Sequence, residues 1–346
     1  MFVEENEAYY LDIKISKDKE FLIIHSSSKS GSEVLVMDRN NDTAERPEIV
    51  NIFSRKKNQR AFANHARGNF FLVVTEEGVY DTKIVTIEDE KFRKKNFEFQ
   101  DYYVPEAGEI ITEIDLFKDH TVIYLEKEGV SCIKIKEAKH QTISEVELHE
   151  ASGRIEPGIN EDYVTDEFVF HFNNPFIYNS MFNYNLANKK STKVYESLLT
   201  GPKFNKNDYV LERLHTPSHD GEEIPLTLVH KKNLKKDRKN KVLLIGYGAY
   251  GQPLDVGFNI VNLAALEDGW VIAYAHVRGG NEKGREWHNK GKGEYKANSF
   301  KDFISSAEYL IAEGYTHPSL LCALGSSAGG LLVGKKEKFF EGETNF

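Results

Sequence analysis

Four times in its first two hundred residues the chain repeats one unit: a polar lead-in, an apolar run, a turn and a second apolar run. The first runs open at Phe21, Phe70, Thr121 and Phe168, a period of roughly 50 residues, and the second open at Glu33, Lys83, Cys132 and Met181. Short β-branched and aromatic runs bounded by Gly, Asn and Ser read as strands rather than helices. The period suits propeller blades of four strands each; an irregular sandwich is the other architecture with such runs. Closed propellers usually need more units than these, so an incomplete β-propeller is expected.

Around Gly201-Pro202-Lys203 the pattern changes. Residues 209–214 and 224–230 read as strands joined through the turn His219-Asp220-Gly221. The apolar runs 242–245 and 269–275 have the character of strands buried on both faces. Over 300–311, Phe300, Phe303, Ile304, Ala307, Leu310 and Ile311 fall at helical spacing, with Asn298 or Ser299 as N-cap and Gly314 as the terminating glycine. Residues 320–334 then read as strand, sharp turn and helix around Gly325-Ser326-Ser327-Ala328-Gly329. In that context G-x-S-x-G is a nucleophile elbow: a strained turn lifts the serine hydroxyl above the sheet, and the glycines remove side chains that would collide with strand and helix. Ser327 is the candidate nucleophile, and Ala328 offers its backbone N–H to an oxyanion. The order of elements is that of the front half of a mostly parallel α/β sheet.

At 346 residues there is room for two ordinary domains or one large one. A net charge of -9, with no basic block, argues against a nucleic-acid partner. No apolar run is long enough to cross a bilayer, and the acidic start carries no signal-peptide pattern. Cys132 and Cys322 are too few for a disulfide framework and are expected as small core residues, which fits a reduced, cytoplasmic setting. No His, Cys or carboxylate spacing suggests a metal, and no cofactor is expected. Trp287-His288 reads as a packed aromatic beside a solvated imidazole, and Arg278 as a salt-bridge or loop anchor.

Four segments together resemble the prolyl oligopeptidase family of serine peptidases, within the α/β-hydrolase superfamily and nearest its oligopeptidase B and prolyl endopeptidase-like branches. They are 16–25 with the Ser-rich turn behind it, Gly246-Tyr247-Gly248-Ala249-Tyr250-Gly251, the stretch from His276 through Arg278-Gly279-Gly280 to His288, and the elbow 325–334. The resemblance implies a partial β-propeller over 1–204 followed by the front half of an α/β-hydrolase domain over 205–346. It also implies a Ser327 nucleophile, and an oxyanion held by Tyr247 together with the Ala328 N–H. The activity implied is cleavage of short peptides, or of related small acyl substrates, through a serine acyl-enzyme beneath the propeller.

In α/β-hydrolases the triad runs Ser, then Asp or Glu, then His. Here nineteen residues follow Ser327, and none is Asp or His. The triad Asp and His are therefore absent, and His276 and His288 lie on the wrong side of the serine. A serine without its base is a poor nucleophile. The chain reads as the middle of a longer protein, whether as fragment, splice product or incomplete gene model. Its truncated sheet should expose an unpaired edge that a protein partner would cover. Two other functions stay open: a non-catalytic binding or regulatory module, and an esterase or thioesterase.

Overall fold

A computed structural model describes residues 2–28, 31–40, 48–75, 82–148, 152–197 and 204–334. The repeat builds four antiparallel sheets of four strands, each a meander with its strands in sequential order. The runs recognised in the sequence are the second and third strands of each sheet, for example Phe21–Ser27 with Ser32–Asp38 and Glu167–Asn174 with Ile177–Asn185. These are buried because each sheet is covered by the next. Phe21 and Ile23 pack with Phe70 and Leu72 of the second sheet. Phe71 and Val73 pack with Ile123 and Leu125 of the third, and Val122 and Tyr124 with Phe168 and Phe170 of the fourth. Each fully buried side chain of this size contributes roughly 1.5–3 kcal/mol. The outer strands are less buried: Tyr10–Ile15 is mostly exposed, and so is Lys190–Glu196.

The first and second sheets are also clamped by charge. His65 donates from Nδ1 to Asp18 Oδ2 at 2.6 Å and from Nε2 to Asp89 Oδ1 at 2.7 Å, with its side chain fully buried. Phe21 and Phe70 lie against its ring. Burial opposes the charge on the imidazole, but the two carboxylates outweigh it and raise the pKa to about 9. Asp18, Glu20 and His65 do converge as metal ligands would, yet both imidazole nitrogens are engaged as donors.

Because the folded-state value lies above the ordinary 6.5, this clamp contributes fully below about pH 6.5 and is lost as pH rises through about 9. A denaturation series from pH 6 to 10 should therefore show wild-type stability falling through that window. His65→Gln should be less stable at pH 6 and flatter across the range; parallel curves would contradict the clamp.

Beyond residue 204 the chain forms a five-stranded mixed sheet in the order Tyr209–Pro217, Glu223–Lys231, Val271–Ala275, Val242–Gly246, Leu321–Leu324. The first two strands run antiparallel to their neighbours and the last three run parallel. Alternation along Val271–Ala275 explains its unbroken apolar run. Val271, Ala273 and Ala275 face helices Lys296–Ala312 and Ala328–Gly334, whereas Ile272 and Tyr274 face helix Ile260–Glu267 and the fourth propeller sheet.

Three expectations need correction. Helix Lys296–Ala312 begins before Asn298 and Ser299, with Tyr295 at the N-cap. Both side chains instead fasten the helix to the preceding loop, Asn298 to Lys290 O and Ser299 to Arg278 O and Gly291 O. Gly314, at φ +78°, does follow the helix end as expected. Cys322 is exposed rather than buried and Cys132 is half-buried, both as free thiols. The reason for Cys322 is position: Leu321–Leu324 is the edge strand, half-exposed to exposed along its length, and among the described residues it pairs only with Val242–Gly246. Among the described residues no helix is long and apolar enough to cross a membrane.

Candidate active site

Neighbouring parallel strands deliver their carboxyl ends to one place, the usual location of a site in such a sheet. Ile245 pairs with Leu324 and Gly246 with Ala275. Tyr247, the elbow and the Arg278 loop therefore emerge side by side.

The elbow is built as tightly as its sequence requires. Ser327 sits at φ +52°, a region costly for a residue with a side chain. A Cβ on Gly325 would lie 2.0 Å from Gly329 O, and one on Gly329 would lie 2.6 Å from Gly246 O and 3.4 Å from Tyr247 Cα. The glycines thus let the helix start rest on the end of the neighbouring strand, beside Tyr247. Gly329 and Gly330 donate to the Ser326 and Ser327 carbonyls at 2.8 and 3.0 Å. Ala328 opens the helix, where a backbone N–H has no intrahelical acceptor.

Tyr247 is half-buried and lies between two cavities. One, of about 340 Å³, is walled by Gln252, Leu254, Asp255, Gly325 and Ser326. The other, of about 820 Å³, is walled by Ala328, Leu331, His288, Lys296 and, from the propeller, Arg60. Ser327 is exposed, and among the described residues no side chain hydrogen-bonds to its Oγ.

Neither upstream histidine hydrogen-bonds to Ser327; both are engaged elsewhere. His276 is fully buried; its Nε2 faces Arg213 Nη1 and Thr227 Oγ1, each at 2.9 Å, and its Nδ1 faces Glu282 Oε1 at 3.4 Å. Arginine only donates, so Nε2 accepts and the proton sits on Nδ1. Burial holds this imidazole below its ordinary pKa. His288 is not solvated as the sequence suggested. It is half-buried, and its Nδ1 donates to Gly279 O at 2.9 Å; burial lowers its pKa as well. Trp287 is packed as expected, 3% exposed and donating to His276 O.

Arg278 is the loop anchor its context suggested. It is 1% exposed and forks onto Asp302, Nε to Oδ2 at 2.9 Å and Nη2 to Oδ1 at 2.6 Å, while Nη1 reaches Asp220 Oδ2 at 2.6 Å. Asp302 Oδ2 also accepts the Arg278 N–H, and Ser218 Oγ donates to Oδ1. Desolvation opposes its charge, but Asp302 and Asp220 more than compensate and raise the pKa further. Sequence reasoning did not single out Asp302, Asp220 or Glu282, because their partners are set by tertiary contacts rather than by motif.

With this geometry in hand, comparison with known proteins gives consistent matches. Residues 1–197 match the model of the prolyl oligopeptidase N-terminal beta-propeller domain, and residues 256–338 that of the prolyl oligopeptidase family. Dipeptidyl aminopeptidase BI of Pseudoxanthomonas mexicana is 28% identical over 96% of this chain and 45% of its own length. The prolyl endopeptidase of Elizabethkingia miricola is 36% identical over 60% of this chain and 29% of its own. Among solved structures, oligopeptidase B from Leishmania major has a TM-score of 0.83 at 26% identity, over 96% of this chain and 47% of that one. Oligopeptidase B from Trypanosoma brucei with covalently bound antipain has a TM-score of 0.85 at 24% identity, over 96% and 48%. The chain thus spans just under half the length of relatives that it matches nearly end to end.

Proposed function

This chain belongs to the prolyl oligopeptidase family, and from that premise we propose that it carries the nucleophile half of a serine peptidase site for short peptides. Ser327 is the nucleophile, and the Ala328 N–H and the Tyr247 hydroxyl receive the oxyanion. The observation that carries this reading is the left-handed Ser327 between two glycines that admit no side chain. Strain of that kind persists where it serves a site. Relatives named prolyl endopeptidase support the substrate class.

We place the domain boundary at 204/205, between the last propeller strand Lys190–Glu196 and the first sheet strand Tyr209–Pro217. A cytoplasmic setting fits two free thiols. The reaction begins with attack of Ser327 Oγ on the scissile carbonyl and loss of its proton. No group around Ser327 among the described residues takes that proton, so the general base comes from elsewhere. Without it only the oxyanion hole and binding act, and reactivity falls to a residual level.

Labelling of the purified chain with a fluorophosphonate probe tests the assignment. Slow labelling should be abolished by Ser327→Ala and retained by Ser326→Ala. The opposite pattern would move the nucleophile, and a folded chain that takes no label would make it a non-catalytic module.

A further inference from the structure

Residues 252–256 belong to no strand or helix, yet 252–255 wall the smaller cavity beside the elbow. Among the described residues, one hydrogen bond ties them to a distant part of the chain: the Leu254 N–H donates to Glu282 Oε1 at 2.7 Å. Glu282 is 2% exposed. The same Oε1 faces His276 Nδ1, and His276 leans in turn on Arg213 and Thr227, which are cross-strand partners in the sheet.

The propeller closes on this relay from the other side. Gly129, at the tip of the hairpin between His120–Lys127 and Val130–Glu137, has φ +75°. A Cβ there would lie 3.4 Å from Glu282 Cγ and 3.7 Å from His276 Cε1. Beside it, Glu128 pairs with His215 at 3.0 Å. Glu282 Oε2, although buried, has no hydrogen-bond partner among the described residues. Stability alone does not explain a carboxylate kept in that state, because an unsatisfied buried oxygen is costly.

We infer that Glu282 is a positioning residue: it fixes the cleft wall 252–255 to the sheet through His276, directly beneath the propeller hairpin at Gly129. One carboxylate thereby couples sheet, propeller and cleft. The inference rests on reading that cavity as part of the substrate cleft.

Hydrogen exchange on the full chain tests it with Glu282→Ala, Glu282→Gln and Glu282→Asp. Glutamine keeps an oxygen for the Leu254 N–H; aspartate keeps the charge but draws it back by one methylene. Losing a bond to a charged acceptor should speed exchange in 252–256 about 10-fold or more in the alanine and aspartate variants. Exchange in the glutamine variant should stay near wild type, and Val271–Ala275 should be unchanged in all three. The inference fails if 252–256 is unaffected, if glutamine loosens it as much as alanine, or if Val271–Ala275 loosens in parallel. Should the alanine variant not fold, the aspartate and glutamine pair decides alone. Exchange does not require Ser327 to react, so a silent Ser327 would overturn the proposed function and leave this result to stand or fall separately.

Discussion

Asp302→Ala should lower the stability of the chain by about 3–5 kcal/mol, the scale expected when one partner of a buried ion pair is removed. Asp302 is 0% exposed and its guanidinium partner Arg278 is 1% exposed. The substitution strips the buried guanidinium of its buried partner and leaves the Arg278 N–H without its acceptor, since both, with the Ser218 hydroxyl, donate to that carboxylate. Asp220 cannot take over, since it is already engaged by Nη1 and Nη2 and lies 37% exposed, where water screens it. Replacing both members with apolar residues, Arg278→Met with Asp302→Leu, should recover much of the loss, as no buried charge is then left unpaired and the part-exposed Asp220 is solvated. Denaturant midpoints at unchanged slope measure the difference. A loss below about 1 kcal/mol for Asp302→Ala would mean that water reaches the guanidinium, and that the loop is not held this way.

The second large effect falls on reactivity. Gly325→Ala places a Cβ 2.0 Å from Gly329 O and 2.4 Å from Gly329 C, both backbone atoms that no rotamer change can move. Helix Ala328–Gly334 must then shift relative to strand Leu321–Leu324, carrying the Ser327 hydroxyl and the Ala328 N–H out of register with Tyr247. A misplacement near 1 Å costs about 100-fold in rate, while overpacking costs about 1–3 kcal/mol in stability. Fluorophosphonate labelling should therefore fall far more than folding does. Equal labelling of variant and wild type would show that the elbow does not govern the reactivity of Ser327.

How much of this was legible in the sequence follows from where each residue's partners lie. The second and third strands of each propeller sheet stood out because both their faces are covered, which selects unbroken apolar runs such as Phe70 to Val74. Lys190–Glu196 did not, because an exposed strand tolerates polar residues, and Tyr10–Ile15 did not, because Asp12 and Lys14 keep its apolar residues from forming a continuous run. The elbow was readable because strand, turn and helix are contiguous and Gly325 answers to Gly329 only a few residues on, although Gly329 answers to Gly246 and Tyr247 on another strand. Helix Ile260–Glu267 was missed, with only Leu263 and Leu266 buried and little periodicity to detect. Asn298 and Ser299 were misread as caps because their acceptors, at Lys290, Arg278 and Gly291, belong to another loop. Asp302 lies 24 residues from Arg278, and Glu282 reaches Leu254 across 28, spacings that no motif prescribes.

The most direct test of the central claim is chemical rescue. If Ser327 is a nucleophile held in a formed oxyanion hole and short only of a base, added imidazole should stand in for that base. The rate of fluorophosphonate labelling, mapped to Ser327 by mass spectrometry, should rise with the concentration of neutral imidazole and stay at zero in Ser327→Ala. Labelling that is indifferent to imidazole, or adducts that map to Ser326, would contradict the account.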